Sequence, residues 1–193
     1  TEIYTLSLHD ALPISMLEST SLPLADMVRA RQLGGASDIF YSRGKAVAWF
    51  NGVARGIKLK PVELLERFGN WLQGQMGRMP DESELEDYEI WQLQRRFLTS
   101  LFDERTAQKL LPAALDCVDY HHAYGVALMA VPPIPPEDDQ LLQLDMMAMK
   151  LKQADSLTLM PFNYEILDIL ESGEPDLTRS EERRVGKEWR FRW

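Results

Sequence analysis

Apolar residues recur three and four positions apart along most of the chain, which is the spacing of one face of an α-helix. Together with the Gly and Pro residues that interrupt it, this pattern predicts a mainly α, single-domain helical bundle of about six helices. The first helix is short, residues 22–33, and Gly34–Gly35 ends it. Residues 38–41 are too few for periodicity to decide, so they could form a short strand or a helical turn.

The central stretch, residues 42–72, predicts two short helices joined by a Gly-rich, basic turn. Gly52 or Gly56 could end the first helix, and Pro61 is well placed to begin the second. The apolar face of the first helix consists of Ala46, Val47, Trp49, Phe50, Val53, Ala54 and Ile57.

Longer helices are predicted over residues 80–130. The clearest runs from Asp81 to Phe102, with acidic residues in its first turns, where the positive end of the helix dipole favours them. Asp103 is a suitable N-cap for the next helix, which runs towards Ala130. Pro112 either kinks that helix or ends one helix and starts another.

The C-terminal part of the chain combines a rigid linker with further helices. Residues 131–136 hold four prolines and predict an extended linker. Residues 137–173 predict C-terminal helices: one is rich in Met and ends near Ala154, and the last begins at Pro161. The Met-rich face would be a buried helix face or an adaptable contact surface.

Both chain ends differ from the body. Residues 1–15 and 179–193 show no regular period and resemble translated sequencing-adapter read-through. We therefore expect them to be non-native tails, with residues 16–178 forming the helical domain and its basic N-terminal helices lying within residues 16–72.

Charge is divided unevenly along this body. Residues 29–67 carry eight basic and three acidic side chains, a net charge of +5. Residues 68–178 carry seven basic and twenty acidic side chains, a net charge of −13. A basic segment of this kind could bind a polyanion, pair with the acidic half of the same chain, or bind an acidic partner.

Composition narrows the class of protein. Hydrophobic residues make up 45% of the chain, which suffices for a core, yet no apolar run approaches the roughly 20 residues of a membrane span. We therefore expect no membrane partner. The single cysteine, Cys117, excludes an intramolecular disulfide and a cysteine-based metal cluster, and it suits a cytoplasmic location.

One local resemblance points to a partner. The run from Ser42 to Gly52, with Pro61 and Leu64–Leu65 after it, resembles the recognition helix and following helix of the Cro/repressor-type helix-turn-helix family. The resemblance covers residues 42–65. An ordinary pair of amphipathic helices would show the same apolar spacing.

The resemblance implies specific roles for individual side chains. Ser42, Arg43 and Lys45 would face the major groove of duplex DNA, and Trp49 would pack in the core. If DNA is the partner, we expect one exposed face with the four cations Arg43, Lys45, Arg55 and Lys58.

A second cluster could carry site chemistry. Asp116, Asp119, His121 and His122 are close in sequence, and Asp119 and His122 are neighbours at i,i+3 that could act as acid, base or ligand. A histidine on an apolar helix face is more commonly a core residue. The sequence holds no phosphate-binding loop, dinucleotide fingerprint, paired-His zinc motif or nucleophile elbow, so we expect no cofactor, metal or catalytic residue.

These patterns favour a non-enzymatic regulatory or accessory protein that contacts DNA through its basic N-terminal helices. The alternative is a helical accessory or chaperone-like module that binds a protein, or a second copy of itself, and no nucleic acid. A small helical enzyme using Asp119 and His122 is the third hypothesis.

Overall fold

A computed structural model describes residues 23–130, 159–166 and 175–177. These residues form five α-helices, one π-helix and a short 3₁₀ helix, and no β-strand occurs within these ranges. The predicted helical bundle is confirmed, and the described residues contain five of its α-helices. Both predicted tails, the 131–136 linker and the Met-rich helix lie outside the described residues. The elements are α1 (Leu24–Ser37), the π-helix (Asp38–Arg43), α2 (Phe50–Gly56), α3 (Pro61–Met76), the 3₁₀ helix (Glu82–Glu84), α4 (Asp87–Glu104) and α5 (Leu111–Met129).

The expected stop at Gly34–Gly35 is wrong, and of the two alternatives for residues 38–41 the helical one forms rather than the short strand. Helix α1 continues through both glycines and runs directly into the π-helix. The reason is burial: Ile39 and Phe40 are both fully buried, whereas a strand would point neighbouring side chains to opposite faces. Burying two large apolar side chains outweighs the cost of about 1 kcal/mol for each helical glycine.

The helix implied at residues 42–52 is also absent from the structure, which has a turn between Gly44 and Trp49 before α2 begins. A β-carbon on Gly44 would lie 2.2 Å from Nε2 of Gln94, so the backbone approaches α4 there more closely than any other residue type would allow. Lys45 then adopts a left-handed conformation with φ of 54°, which ends the helical run. Trp49 is buried, as the resemblance implies.

The later helix boundaries follow local capping chemistry. Pro61 begins α3 as predicted, and Gly77 ends it in a left-handed conformation. Helix α4 begins later than predicted, at Asp87, because Glu86 and Glu89 form a capping box. Helix α5 begins at Leu111 rather than after Asp103. Pro112 therefore lies in the first turn of α5 and does not kink the helix.

The last predicted helix does not begin at Pro161. Residues 161–165 are not helical, because the backbone N–H groups of Asn163 and Tyr164 donate to the carboxylate of Asp116 on α5. Most of the remainder of that predicted helix lies outside the described ranges.

An aromatic cluster centred on Phe40 joins the elements. Its ring packs against the rings of Phe68 on α3 at 4.7 Å and Phe97 on α4 at 5.8 Å, measured between centroids. It also contacts Trp49 at 5.6 Å and Phe50 at 6.1 Å, both edge-on. One buried side chain therefore fixes α2, α3 and α4 around the π-helix.

A buried amide supports the same region. Gln94 of α4 is 1% exposed, and its Nε2 donates to the carbonyl oxygens of Phe40 at 2.9 Å and Gly44 at 2.8 Å. These carbonyls lie towards the end of the π-helix, where no further backbone N–H groups of the helix are available to bind them. The side chain thereby replaces the hydrogen bonds that the turn removes.

Phe40→Ala should lower the free energy of unfolding by about 3–5 kcal/mol, because it leaves a cavity at the centre of the aromatic cluster. Urea denaturation measures the change. Val47→Ala, at a side chain that is 62% exposed, is the control and should change stability by less than about 0.5 kcal/mol. Equal effects of the two substitutions would contradict the central place of Phe40.

Candidate functional site

Two of the cations predicted to contact DNA, Arg43 and Lys45, join the turn after the π-helix to α4. Arg43 Nη2 lies 3.1 Å from one carboxylate oxygen of Asp87, and Lys45 Nζ lies 2.7 Å from the other. The pKa of Asp87 is below its ordinary value because the Lys45 ammonium and the Arg43 guanidinium donate hydrogen bonds to it. Ser42, beside them, is exposed.

The other two predicted cations lie elsewhere. Arg55 is on the last turn of α2, and Lys58 follows that helix; both are exposed. Next to Lys58, the carbonyl of Ile57 accepts a hydrogen bond from Arg105 Nη2 at 3.3 Å, and Arg105 directly follows α4. Asp87 opens α4, so a rise of about 1.5 Å per residue separates the two groups of cations by about 27 Å. The four cations therefore form two separate groups.

The turn between α4 and α5 lies beside the end of α2 and adds two cations. Both belong to the acidic part of the sequence, residues 68–178. Arg105 and Lys109 are exposed in the turn between α4 and α5. A β-carbon on Gly56 would lie 3.6 Å from Cδ1 of Leu110, so this turn lies directly beside the end of α2. We call the cations of these two turns the cationic end: Arg55, Lys58, Lys60, Arg105 and Lys109.

Three acidic side chains near the cationic end have partners. Arg67 donates to Glu104 at 2.6 Å and to Glu63 at 3.4 Å. Gln108 Nε2 donates to Asp103 at 2.8 Å. Among described residues, Lys58, Lys60, Arg105 and Lys109 form no ion pair. The positive charge at this end is therefore only partly compensated by neighbouring side chains.

Asp119 and His122 belong to a packed network between α4 and α5. Asp119 accepts hydrogen bonds from Trp91 Nε1 at 2.8 Å and from Arg95. His122 stacks on the Trp91 ring with centroids 4.6 Å apart and planes 6° apart. Burial lowers the pKa of His122, and the charge of Lys45 lowers it further. No hydrogen bond joins Asp119 to His122 among the described contacts, although the charge of Asp119 opposes the lowering of the His122 pKa.

His121 faces the interior, where its Nε2 finds no hydrogen-bond partner among the described groups, and burial lowers its pKa. An open groove of about 490 Å³ lies between α3 and α4, and neither histidine lines it. Its lining is formed by Trp71, Gln75, Gln92, Arg95, Arg96, Thr99 and Ser100. None of these side chains is a carboxylate or a histidine.

Asp116 on α5 is a buried titratable group with several hydrogen-bond donors. It is 2% exposed, and its carboxylate accepts hydrogen bonds from the backbone N–H groups of Asn163 at 2.7 Å and Tyr164 at 3.0 Å. The Asn163 side-chain amide donates to the other oxygen at 2.9 Å. Burial raises the pKa of Asp116 to about 6, against the opposing effect of these donors. The carboxylate ties residues 163–164 to α5, a contact across 47 positions that local sequence could not indicate.

Two classes of feature are missing from the described residues. Their side chains do not bring three His, Cys, Asp or Glu residues together as metal ligands. None of their helices combines the length and the apolar character needed to cross a bilayer.

Comparison with known proteins gives no further assignment, since no family model, curated protein or solved structure matches the chain.

The raised pKa of Asp116 predicts a pH dependence of stability. The folded state binds this proton more tightly than the unfolded state, whose ordinary value is 3.8. Asp116 should therefore add stability as pH falls from about 6 to about 4, by at most about 3 kcal/mol. The gain is lost again as pH rises through the folded pKa.

Urea denaturation of the wild type and Asp116→Asn between pH 4 and 7 tests this, because the variant cannot titrate at this position. The unfolding free energy of the wild type minus that of Asp116→Asn should increase as the pH is lowered. Asp26→Asn, at an exposed acid on α1, is the matched control. A difference that is constant over this pH range would rule out a buried carboxylate with a raised pKa.

Proposed function

We propose that the protein is a non-enzymatic regulatory or accessory protein that contacts duplex DNA through the cations Arg55, Lys58 and Lys60 at the end of α2. The observation that carries this proposal is the exposure of Lys58 and Lys60, which form no ion pair with another described residue, beside carboxylates that other residues already bind. Lys and Arg at such positions attract phosphates and release the counterions condensed on DNA.

The charge of the whole chain supports a defined orientation on a polyanion. The protein carries a net charge of −9, so most of its surface repels DNA. A locally positive end on an acidic body orients the molecule during its approach. Contact would then be limited to the positive end.

The contact proposed is with phosphates rather than with bases. A helix-turn-helix protein inserts a recognition helix into the major groove, and here residues 44–49 form a turn instead. Arg43 and Lys45 share the carboxylate of Asp87, which offsets one of their two positive charges. Cations on turns can position a protein on the sugar–phosphate backbone without reading sequence.

A second function has one observation in its favour. The last turns of α5 expose Tyr124, Val126, Leu128 and Met129, by 52% to 85%. Exposed apolar side chains in a row are typical of protein-binding surfaces. A protein-binding accessory module, using this helix end and the Pro- and Met-rich residues that follow it, is therefore the alternative.

Substitution of Lys58 tests the DNA contact without disturbing the fold. Lys58 has φ of 56°, a left-handed conformation that glycine adopts more readily, so Lys58→Gly removes the cation at little cost in stability. Fluorescence anisotropy with mixed-sequence duplex DNA should show weaker binding, with the slope of log affinity against log salt reduced in magnitude by about 0.9.

Lys45→Gly is the matched control, since Lys45 has φ of 54° and loses the same charge at the opposite end of α4. It should leave the salt slope nearly unchanged. If the wild type does not bind duplex DNA even at about 50 mM salt, where non-specific contacts are strong, the proposal is wrong and the protein-binding alternative takes its place.

A further inference from the structure

We propose that the turn between α4 and α5 supplies the second half of this surface, through Arg105 and Lys109, and that both turns together bind the sugar–phosphate backbone of duplex nucleic acid independently of its sequence. This inference rests on the proposed function and adds residues from the acidic half of the chain. Its starting point is the hydrogen bond between Arg105 and the Ile57 carbonyl, which bridges the two turns at 3.3 Å.

The two turns have the same backbone construction. After α2, Leu59 N donates to Ala54 O at 2.9 Å, and Lys58 has φ of 56°. After α4, Ala107 N donates to Phe102 O at 2.8 Å, and Thr106 has φ of 55°. Each helix ends with a backbone hydrogen bond that spans six residues. Each also has a non-glycine residue in the left-handed conformation, and that conformation costs about 1 kcal/mol relative to glycine. Each turn thus presents its cations from a short, hydrogen-bonded loop.

Side chains, rather than helix dipoles, set the sign of the potential at this end. Helices α2 and α4 end here, while α3 and α5 begin here. Two negative and two positive dipole ends largely cancel. The charge that remains comes from side-chain cations, and Lys58, Lys60, Arg105 and Lys109 form no ion pair with another described residue.

The chemistry of this surface fits the backbone of a duplex better than a protein or a single strand. Protein-binding surfaces are enriched in aromatic anchors and depleted of Lys, and single strands need exposed aromatic rings on which bases stack. Residues 55–62 and 105–112 contain no aromatic residue. Long, flexible cationic side chains without stacking partners suit regularly spaced phosphates.

Lys109→Ala tests this inference against Lys58→Gly in the full chain. We expect Lys109→Ala to weaken binding to duplex DNA about five- to tenfold near 0.1 M salt and to reduce the salt slope by about 0.9. The effect should match that of Lys58→Gly for two duplexes of unrelated sequence. Arg78→Ala is the control: this exposed cation is bound to Glu84, and its loss should have little effect. Thermal unfolding checks that every variant is folded.

The outcomes separate the inference from the function on which it rests. If Lys58→Gly weakens binding while Lys109→Ala behaves like Arg78→Ala, the second turn is not part of the surface and only the inference fails. If the wild type binds no duplex at low salt, both fail. A preference above about tenfold for one duplex sequence, or tighter binding of a poly-glutamate peptide or of single-stranded DNA, would overturn the proposed mode of binding.

Discussion

The burial of Phe40 is the constraint on which the rest of the described structure depends. Its ring contacts aromatic residues from α2, α3, α4 and the turn before α2, so the relative placement of these elements follows from one packing centre. To bring Phe40 and Ile39 inward together, the chain adopts a π-helix, and Gln94 then binds the carbonyls that this helix leaves open. This arrangement places the end of α2 beside the end of α4. The cationic end is therefore a consequence of core packing.

Internal pairing decides which charges are available to a partner. Asp87 binds Arg43 and Lys45 at one end of α4, and Arg67 binds two glutamates near the other. Among the described cations that form no ion pair, Lys58, Lys60, Arg105 and Lys109 lie together on two adjacent turns, in a chain of net charge −9. Surface ion pairs contribute little to stability, at most about 1 kcal/mol each. Their larger effect here is on the electrostatic potential of the surface, because they reduce the net charge where they form and not elsewhere.

Local sequence predicted the helical class, the start of α3 at Pro61 and the burial of Trp49, because these depend on periodicity, proline geometry and a large apolar side chain. Predictions from local sequence failed where contacts between residues far apart in the sequence determine the local structure. The turn at Gly44 depends on Gln94, fifty positions later, and a single sequence does not reveal that approach. Charge counted along the chain likewise assigned Arg105 and Lys109 to the acidic half, although the fold places them beside Lys58. The contact of Asp116 with residues 163–164 belongs to the same class of long-range interaction.

Amide hydrogen exchange, measured by mass spectrometry on the full chain with and without saturating duplex DNA at low salt, tests the central claim most directly. It locates the contact without substituting any residue. The account predicts slower exchange in residues 57–62 and 105–112 on binding, with no change in residues 42–47 and 87–90. Protection confined to residues 42–47 and 87–90, or no protection at either turn of the cationic end, would contradict it.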